Sequence, residues 1–127
     1  MSLRHAIAAI AVVSFATSVA ANPVEHALGS AAFRATCNAC HAIEANARPR
    51  LGPSLHAIPG RTAGTLSGYP FTLALRNSAI IWDAQSLDQF LANPMGMVPG
   101  TKMDYGVRDG EQRRLIIQFL LAPRHPD

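Results

Sequence analysis

Apolar residues recur at helical spacing in separate stretches of the chain, and the first stretch has a clear helix start. Asn22 suits the N-cap, Pro23 the first helical position and Glu25 the first turn. The apolar residues that follow are Ala27, Leu28, Ala31, Ala32 and Phe33. This pattern predicts a helix that runs from Pro23 to about Cys40.

The last stretch carries a second clear helical pattern. Asp109 is a candidate N-cap with Gln112 three residues further on, and Pro123 follows the last apolar position. The apolar positions between them are Leu115, Ile116, Phe119 and Leu120. We therefore predict a helix between Asp109 and Pro123.

Two shorter helices are predicted in the middle of the chain. Thr72 to Ser78 forms one of them, and Ser86 caps the other, which ends at Asn93 and Pro94. The apolar face of the second helix consists of Leu87, Phe90 and Leu91.

Two irregular segments separate these helices. Residues 44–65 are rich in proline and glycine without a strand period, and residues 95–107 form another loop. Compact domains seldom contain so long a loop without structure of its own, so we expect a cofactor beneath it. The chain is thus predicted to be all-α, with three to five short helices and long loops around that cofactor.

The N-terminal 21 residues have the order of a secretory signal. Arg4 and His5 precede an apolar run over residues 6–16, and small residues follow as far as Ala21. The alternative is a transmembrane anchor, but the run is short and rich in weakly hydrophobic alanine. We therefore expect cleavage after Ala20 or Ala21, export to the periplasm, no stable membrane insertion, and one domain over residues 22–127.

The charge of the mature chain excludes few partners. From Asn22 onward, ten Lys and Arg residues oppose eight Asp and Glu, which leaves +2. Lys102 is the only lysine, and the arginines are scattered along the sequence. Because a nucleic-acid footprint needs clustered basic residues, nucleic acid is not an expected partner.

Residues 37–41 read C-N-A-C-H, which is the attachment signature of c-type haem. If Cys37, Cys40 and His41 share one helical face, both sulfurs reach the haem edge while the imidazole turns under the iron. A redox-active dithiol is one alternative, although no βαβ pattern precedes the motif. A zinc site is another, although the remaining histidines of the mature chain, His26, His56 and His125, do not have finger spacing.

A haem held by one histidine needs a second axial ligand or an open site. Met95, Met97 and Met103 are the thioether candidates, and all three lie in the loop over residues 95–107. Histidine and methionine ligation raises the reduction potential, and a saturated iron leaves no site for dioxygen or peroxide. This combination suits electron transfer, whereas an open site would suit peroxide turnover or gas binding.

Several ordered motifs resemble the mitochondrial cytochrome c group of class I c-type cytochromes, which includes bacterial periplasmic relatives. These motifs are Gly29 and Phe33 before C-N-A-C-H, L-G-P-S-L-H from Leu51, G-R-T-A-G from Gly60, I-I-W from Ile80 and V-P-G-T-K-M from Val98. The resemblance covers nearly the whole mature chain. It implies the cytochrome c fold and one covalent haem c.

The resemblance also implies roles for single residues. It places Met103 on the iron together with His41, and it makes the carbonyl of Pro53 the acceptor for the histidine Nδ1. Three further residues match those that surround and hydrogen-bond the haem propionates: Arg61, Tyr69 and Trp82. Gly29 and Phe33 match the surface where the first helix contacts the last, near Ile116 and Phe119.

The chain departs from the family at three features. Leu75 and Phe90 stand where the family often has Asn and Tyr, two polar residues that hold a water and the methionine sulfur. The lysine ring of the eukaryotic members is reduced to Lys102.

The implied function is that of a monomeric one-electron carrier that is not an enzyme. It docks transiently, at its exposed haem edge, on a periplasmic or membrane reductase or dehydrogenase and on an oxidase or terminal reductase. The alternative is a haem subunit of a larger dehydrogenase.

Overall fold

The computed structural model describes residues 22–123. Five α-helices lie in this part of the chain, joined by long loops, and no strand occurs in it: α1 (Pro23–Thr36), α2 (Leu73–Arg76), α3 (Ala84–Ala92), α4 (Pro94–Met97) and α5 (Gly110–Leu121). The prediction of an all-α fold is confirmed. The predicted signal over residues 1–21 and the unassigned His125 lie outside the described residues. No helix within residues 22–123 is long and apolar enough to cross a bilayer.

The first and last helices begin where the sequence predicts. The Asn22 side chain accepts a hydrogen bond from the Val24 amide at 3.0 Å, and Asp109 accepts one from the Gln112 amide at 2.7 Å. These caps satisfy amide groups that have no partner within the helix. Helix α1 ends at Thr36, four residues earlier than predicted, and the haem-attachment signature therefore follows the helix as a turn.

The shorter helices differ from prediction in their bounds. Helix α3 starts with Asp83 as its N-cap. The predicted cap, Ser86, lies at helix position N3 and forms a capping box with Asp83. Helix α2 is shorter than predicted, with Thr72 as its cap. Helix α4 lies inside the predicted second loop, capped by the side chain of Asn93.

Helices α1 and α5 pack closely against each other and form the floor of the core. A Cβ atom on Gly29 would lie 2.5 Å from the Leu115 carbonyl oxygen and 2.8 Å from the Phe119 Cβ, so only glycine permits this approach. Beside the contact, Phe33 and Ile116 are almost completely buried. Helix α3 packs on α5 and α4.

Helix α2 is held by loops. Within the described chain it contacts no other helix. Gly64 packs against the Arg76 backbone, and Gly100 approaches the Ala74 side chain. An antiparallel bridge between Thr62 and Ile81 closes the loop that leads to α2.

Candidate functional site

A cavity of about 540 Å³ lies among the helices and both long loops. All eight residues predicted for the site line it: Cys37, Cys40, His41, Pro53, Arg61, Tyr69, Trp82 and Met103. Most of the remaining wall is apolar, with Leu87, Leu91, Val107, Ile116 and Leu120 among its residues. The fold therefore gathers residues from Cys37 to Met103, which are 66 positions apart in sequence, around one apolar cavity.

The attachment signature forms a compact turn at the end of α1. The amides of Cys40 and His41 both donate to the Cys37 carbonyl, at 3.0 and 2.9 Å. Cys37 and Cys40 form no disulfide with each other, and Cys40 is exposed. The turn brings the two thiols and the imidazole to the cavity within five residues, as covalent attachment of a macrocycle at its edge requires.

The His41 ring is fixed by two backbone features. Its Nδ1 lies 2.8 Å from the Pro53 carbonyl, which can only accept, so Nδ1 carries the proton and Nε2 keeps its lone pair. The backbone of Gly52 lies against the ring, and a Cβ there would clash with the imidazole, at 2.6 Å from Nδ1 and 2.8 Å from Nε2. Burial lowers the pKa of His41 and outweighs the Pro53 hydrogen bond, which raises it. The ring is therefore neutral and suited to bind a metal.

The thiol chemistry of the turn is unlike that of a redox dithiol. Burial, and secondly the charge of Cys40, raise the pKa of Cys37 from 9.0 to about 11. Redox-active C-x-x-C pairs need a lowered pKa because the thiolate is the nucleophile. Within residues 22–123, no three His, Cys, Asp or Glu side chains gather into a group able to hold a metal ion, as a zinc site would require.

The three candidate methionines occupy different places. Met103 lines the cavity and is half-buried against the core. Met97 also packs on the core but does not line the cavity, and Met95 on α4 is 47% exposed. The structure therefore brings only Met103 of these three to the same space as His41.

Arg61 presents a partly buried cation to the cavity. Its Nη2 donates to the Ser54 carbonyl at 3.0 Å and its Nη1 to the His56 carbonyl at 3.1 Å. Burial lowers the pKa of the guanidinium. Arginine nevertheless stays protonated in proteins. Two carbonyls use only part of its five N–H groups, so further donors remain for an anion such as a carboxylate.

The Tyr69 hydroxyl makes a hydrogen bond that the resemblance does not imply. Tyr69 lines the cavity, but its hydroxyl donates to the Leu51 carbonyl at 2.8 Å. A phenol has one proton, so in this geometry Tyr69 cannot also donate to a propionate. Its role here is to tie the 69–71 segment to the loop that carries Pro53.

Sequence reasoning missed two threonines in the wall. Thr72 and Thr101 both line the cavity, and Thr101 is 8% exposed. The Oγ1 of Thr101 accepts from the Met103 amide at 3.4 Å, and that of Thr72 accepts from the Leu75 amide at 3.3 Å. Both hydroxyls keep a proton to donate. The signal for Thr101 was its place two residues before Met103, whereas Thr72 carried none beyond its cap position.

The residues present fit a covalently held haem. A flat apolar macrocycle needs an apolar cavity, two thiols at one edge, a neutral imidazole and a second soft donor, and each of these is in place. The Gly52 backbone leaves room for the His41 ring where any side chain would not. Leu75 and Phe90, the two departures from the family pattern, are part of the apolar wall.

Known proteins resemble the chain along nearly its full length. No family model matches it. A cytochrome c from Ginkgo biloba is 34% identical over 106 residues, which is 83% of this chain and 94% of the relative. A cytochrome c from Kluyveromyces lactis is 36% identical over 94 residues, 73% of this chain and 86% of the relative. A cytochrome c2 from Rhodomicrobium vannielii is 35% identical over 126 residues, 98% of this chain and 97% of the relative.

Proposed function

The chain belongs to the class I c-type cytochromes, carries one covalent haem c and serves as an electron carrier, and on that premise we propose that His41 and Met103 would both bind the haem iron. The observation that supports this pair is their position around one apolar cavity, with the His41 ring already oriented by Pro53. Cys37 and Cys40 are the attachment sites.

Haem c supplies a one-electron couple when bound, and the residues of the chain set the conditions for it. Pro53 holds the proton of His41 at Nδ1 and makes the imidazole a stronger donor. The apolar wall excludes water and so disfavours the more highly charged oxidised state, which raises the potential. We propose that the spare donors of Arg61 and the hydroxyls of Thr72 and Thr101 would bind the carboxylates of the haem propionates, since all three residues line the cavity.

If His41 and Met103 both bind the iron, no coordination position is left for a substrate. The chain is therefore proposed to perform no bond-making chemistry and to act by transient contact with redox proteins. The proposed donor is a periplasmic or membrane reductase or dehydrogenase, and the proposed acceptor is an oxidase or terminal reductase. We also propose that it works as a monomer, which size-exclusion of the native protein from its host tests.

The proposed location is the periplasm. Residues 1–21 have the order of a secretory signal, and the alignment with the bacterial cytochrome c2 covers 126 residues and so extends into that segment. Mass spectrometry of the mature protein tests this, because cleavage after Ala20 or Ala21 and one bound haem give a defined mass. A mature mass that still includes residues 1–21 would contradict it.

The axial ligand is tested by replacing methionines one at a time. Met103→Leu keeps the volume but removes the thioether, so the near-infrared band of ferric methionine ligation should vanish and the potential should fall by on the order of 0.1–0.2 V. Met97→Leu and Met95→Leu are the matched controls and should leave both unchanged. If Met103→Leu keeps the band, Met103 is not the ligand.

A further inference from the structure

Two exposed apolar side chains lie at the opening of the cavity. Leu51 is 81% exposed and Tyr105 is 61% exposed, and both line the cavity as well. A residue that contacts both the cavity and solvent marks where the cavity opens. Large apolar side chains at such a position indicate a surface built for contact with another molecule.

Met95 extends this apolar surface. It is 47% exposed and follows Pro94, whose Cδ lies 3.3 Å from the position of a Cβ on Gly106. Gly106 in turn follows Tyr105, so the start of α4, where Met95 lies, is close to the segment that carries Tyr105. We define Leu51, Met95 and Tyr105 as the mouth patch.

The charged residues around the mouth patch are few and are held by the protein itself. Lys102 donates from Nζ to the Pro70 carbonyl at 2.9 Å, and Asp104 lies two residues away on the same rim. Arg50, next to Leu51, donates to the carbonyl and the side chain of Asn38. These hydrogen bonds do not remove the charges, but the rim has few cations and Asp104 lies beside the single lysine, so the net field for steering a charged partner is small.

Resting on the proposed function, we propose that the mouth patch is the docking surface for redox proteins, and that the partner's docking face is likewise apolar and free of an acidic cluster. Electrons leave most readily where the cavity opens, and Leu51 and Tyr105 of the mouth patch lie at that opening. An apolar, nearly neutral surface is complementary to another of the same kind, whereas an acidic face would lose its solvation here without gaining a partner charge.

A second copy of this chain is the probe, because it carries such an apolar face. The experiment measures electron self-exchange by NMR in mixtures of reduced and oxidised holoprotein. If the mouth patch docks as proposed, the exchange rate changes by less than about threefold between low salt and about 0.5 M, since screening acts on charges and not on apolar contact.

Substitutions locate the docking surface. Tyr105→Glu and Leu51→Glu each place two like charges in the symmetric contact and should slow self-exchange at low salt by about tenfold or more, with partial recovery at high salt. Tyr105→Phe keeps the apolar ring and should exchange at the wild-type rate. Val24→Glu is the matched control, because Val24 is 64% exposed but lies at the far end of α1 from the attachment turn.

The outcomes separate this proposal from the proposed function. The mouth patch is not the docking surface if the wild-type self-exchange rate depends steeply on salt, or if the glutamate variants exchange as fast as wild type. In either case a reversible one-electron titration would still support the electron-carrier function. Failure of that titration overturns both. Reduction by a small neutral hydroquinone, which needs no protein docking face, should be equal in all variants; a slowed Tyr105→Glu there overturns the docking interpretation of its slow self-exchange.

Discussion

The orientation of one imidazole depends on a residue that contributes no side chain. Gly52 lies against the His41 ring, and its neighbour Pro53 accepts the Nδ1 hydrogen bond at 2.8 Å. Gly52 leaves room for the imidazole ring because it has no side chain, and the Pro53 carbonyl fixes the orientation of the ring through the hydrogen bond. A metal ligand so held needs little reorganisation on binding, which is how outer residues strengthen a metal bond.

Gly52→Ala should therefore weaken the site without replacing any ligand. The added Cβ forces the ring away from Pro53, and we expect the holoprotein to lose about 2–4 kcal/mol of unfolding free energy through overpacking and the lost hydrogen bond. Thermal unfolding and the fraction of chains with attached haem measure the effect. Gly110→Ala is the control, since the nearest atom to its Cβ is 3.6 Å away at the start of α5. Equal stability of the two variants would contradict the interpretation.

At the scale of elements, the contact of α1 with α5 supports the attachment turn. Phe33 and Ile116 are buried in it, and Gln112 on α5 donates to Thr36 at 2.8 Å, directly before Cys37. Arg114 reaches Glu25 across the same contact at 3.2 Å, a half-exposed pair that adds little. The position of the two thiols is therefore set by the packing of the first helix on the last.

Gly29→Ala should disturb this packing. Alanine favours a helix by up to about 1 kcal/mol over glycine, but its Cβ would overlap the Leu115 carbonyl and Phe119, so we expect a net loss of about 2 kcal/mol. Chemical denaturation of the holoprotein measures it. Ser30→Ala, one position along the same helix, should change stability by less than about 0.5 kcal/mol. A Gly29→Ala variant as stable as wild type would show that the helices can separate freely.

The starts of the two long helices were predictable from sequence, whereas the bounds of the shorter helices were less so. Asn22 and Asp109 identify the starts of α1 and α5 because their carboxamide and carboxylate oxygens accept local amide hydrogens. The end of α1 was misplaced, since no glycine or proline marks it. Helix α4 was missed because a single turn after Pro94 lacks any periodic pattern.

At the scale of the whole molecule, the cavity and the core share their walls. Trp82, Phe90, Ile116 and Leu120 belong to the buried cluster and also line the cavity. At about 24 cal/mol per Å³, leaving about 540 Å³ empty would cost up to about 13 kcal/mol, an upper bound because the cavity opens to solvent. That is comparable with the whole stability of a small domain, about 5–15 kcal/mol.

A chain unable to attach haem should consequently not keep this fold. We expect Cys37→Ser/Cys40→Ser, purified without haem, to show reduced helix content in far-UV circular dichroism and no cooperative thermal transition. Wild-type holoprotein supplies the reference. The single variant Cys40→Ser, which keeps one attachment site, should retain most of the helix signal if haem attaches. A cooperative transition in the haem-free double variant would show that the helices are sufficient.

The sequence predicted the candidate site best where the reactive residues belong to one short motif. Cys37, Cys40 and His41 follow from five consecutive residues, and family likeness selected Met103 among three methionines. The hydrogen bond of Tyr69 to Leu51 and the places of Thr72 and Thr101 needed the fold, because each depends on how two distant loops approach each other.

The weak attachment of α2 has one more consequence. Loops, the Thr62–Ile81 bridge and the Lys102–Pro70 hydrogen bond hold this side of the cavity, while helix packing holds the other. Fluctuations that cost less than global unfolding will therefore begin here. The rate at which small reagents enter the cavity then depends on local opening of the α2 side. This opening can occur while α1, α5 and the attachment turn stay in place.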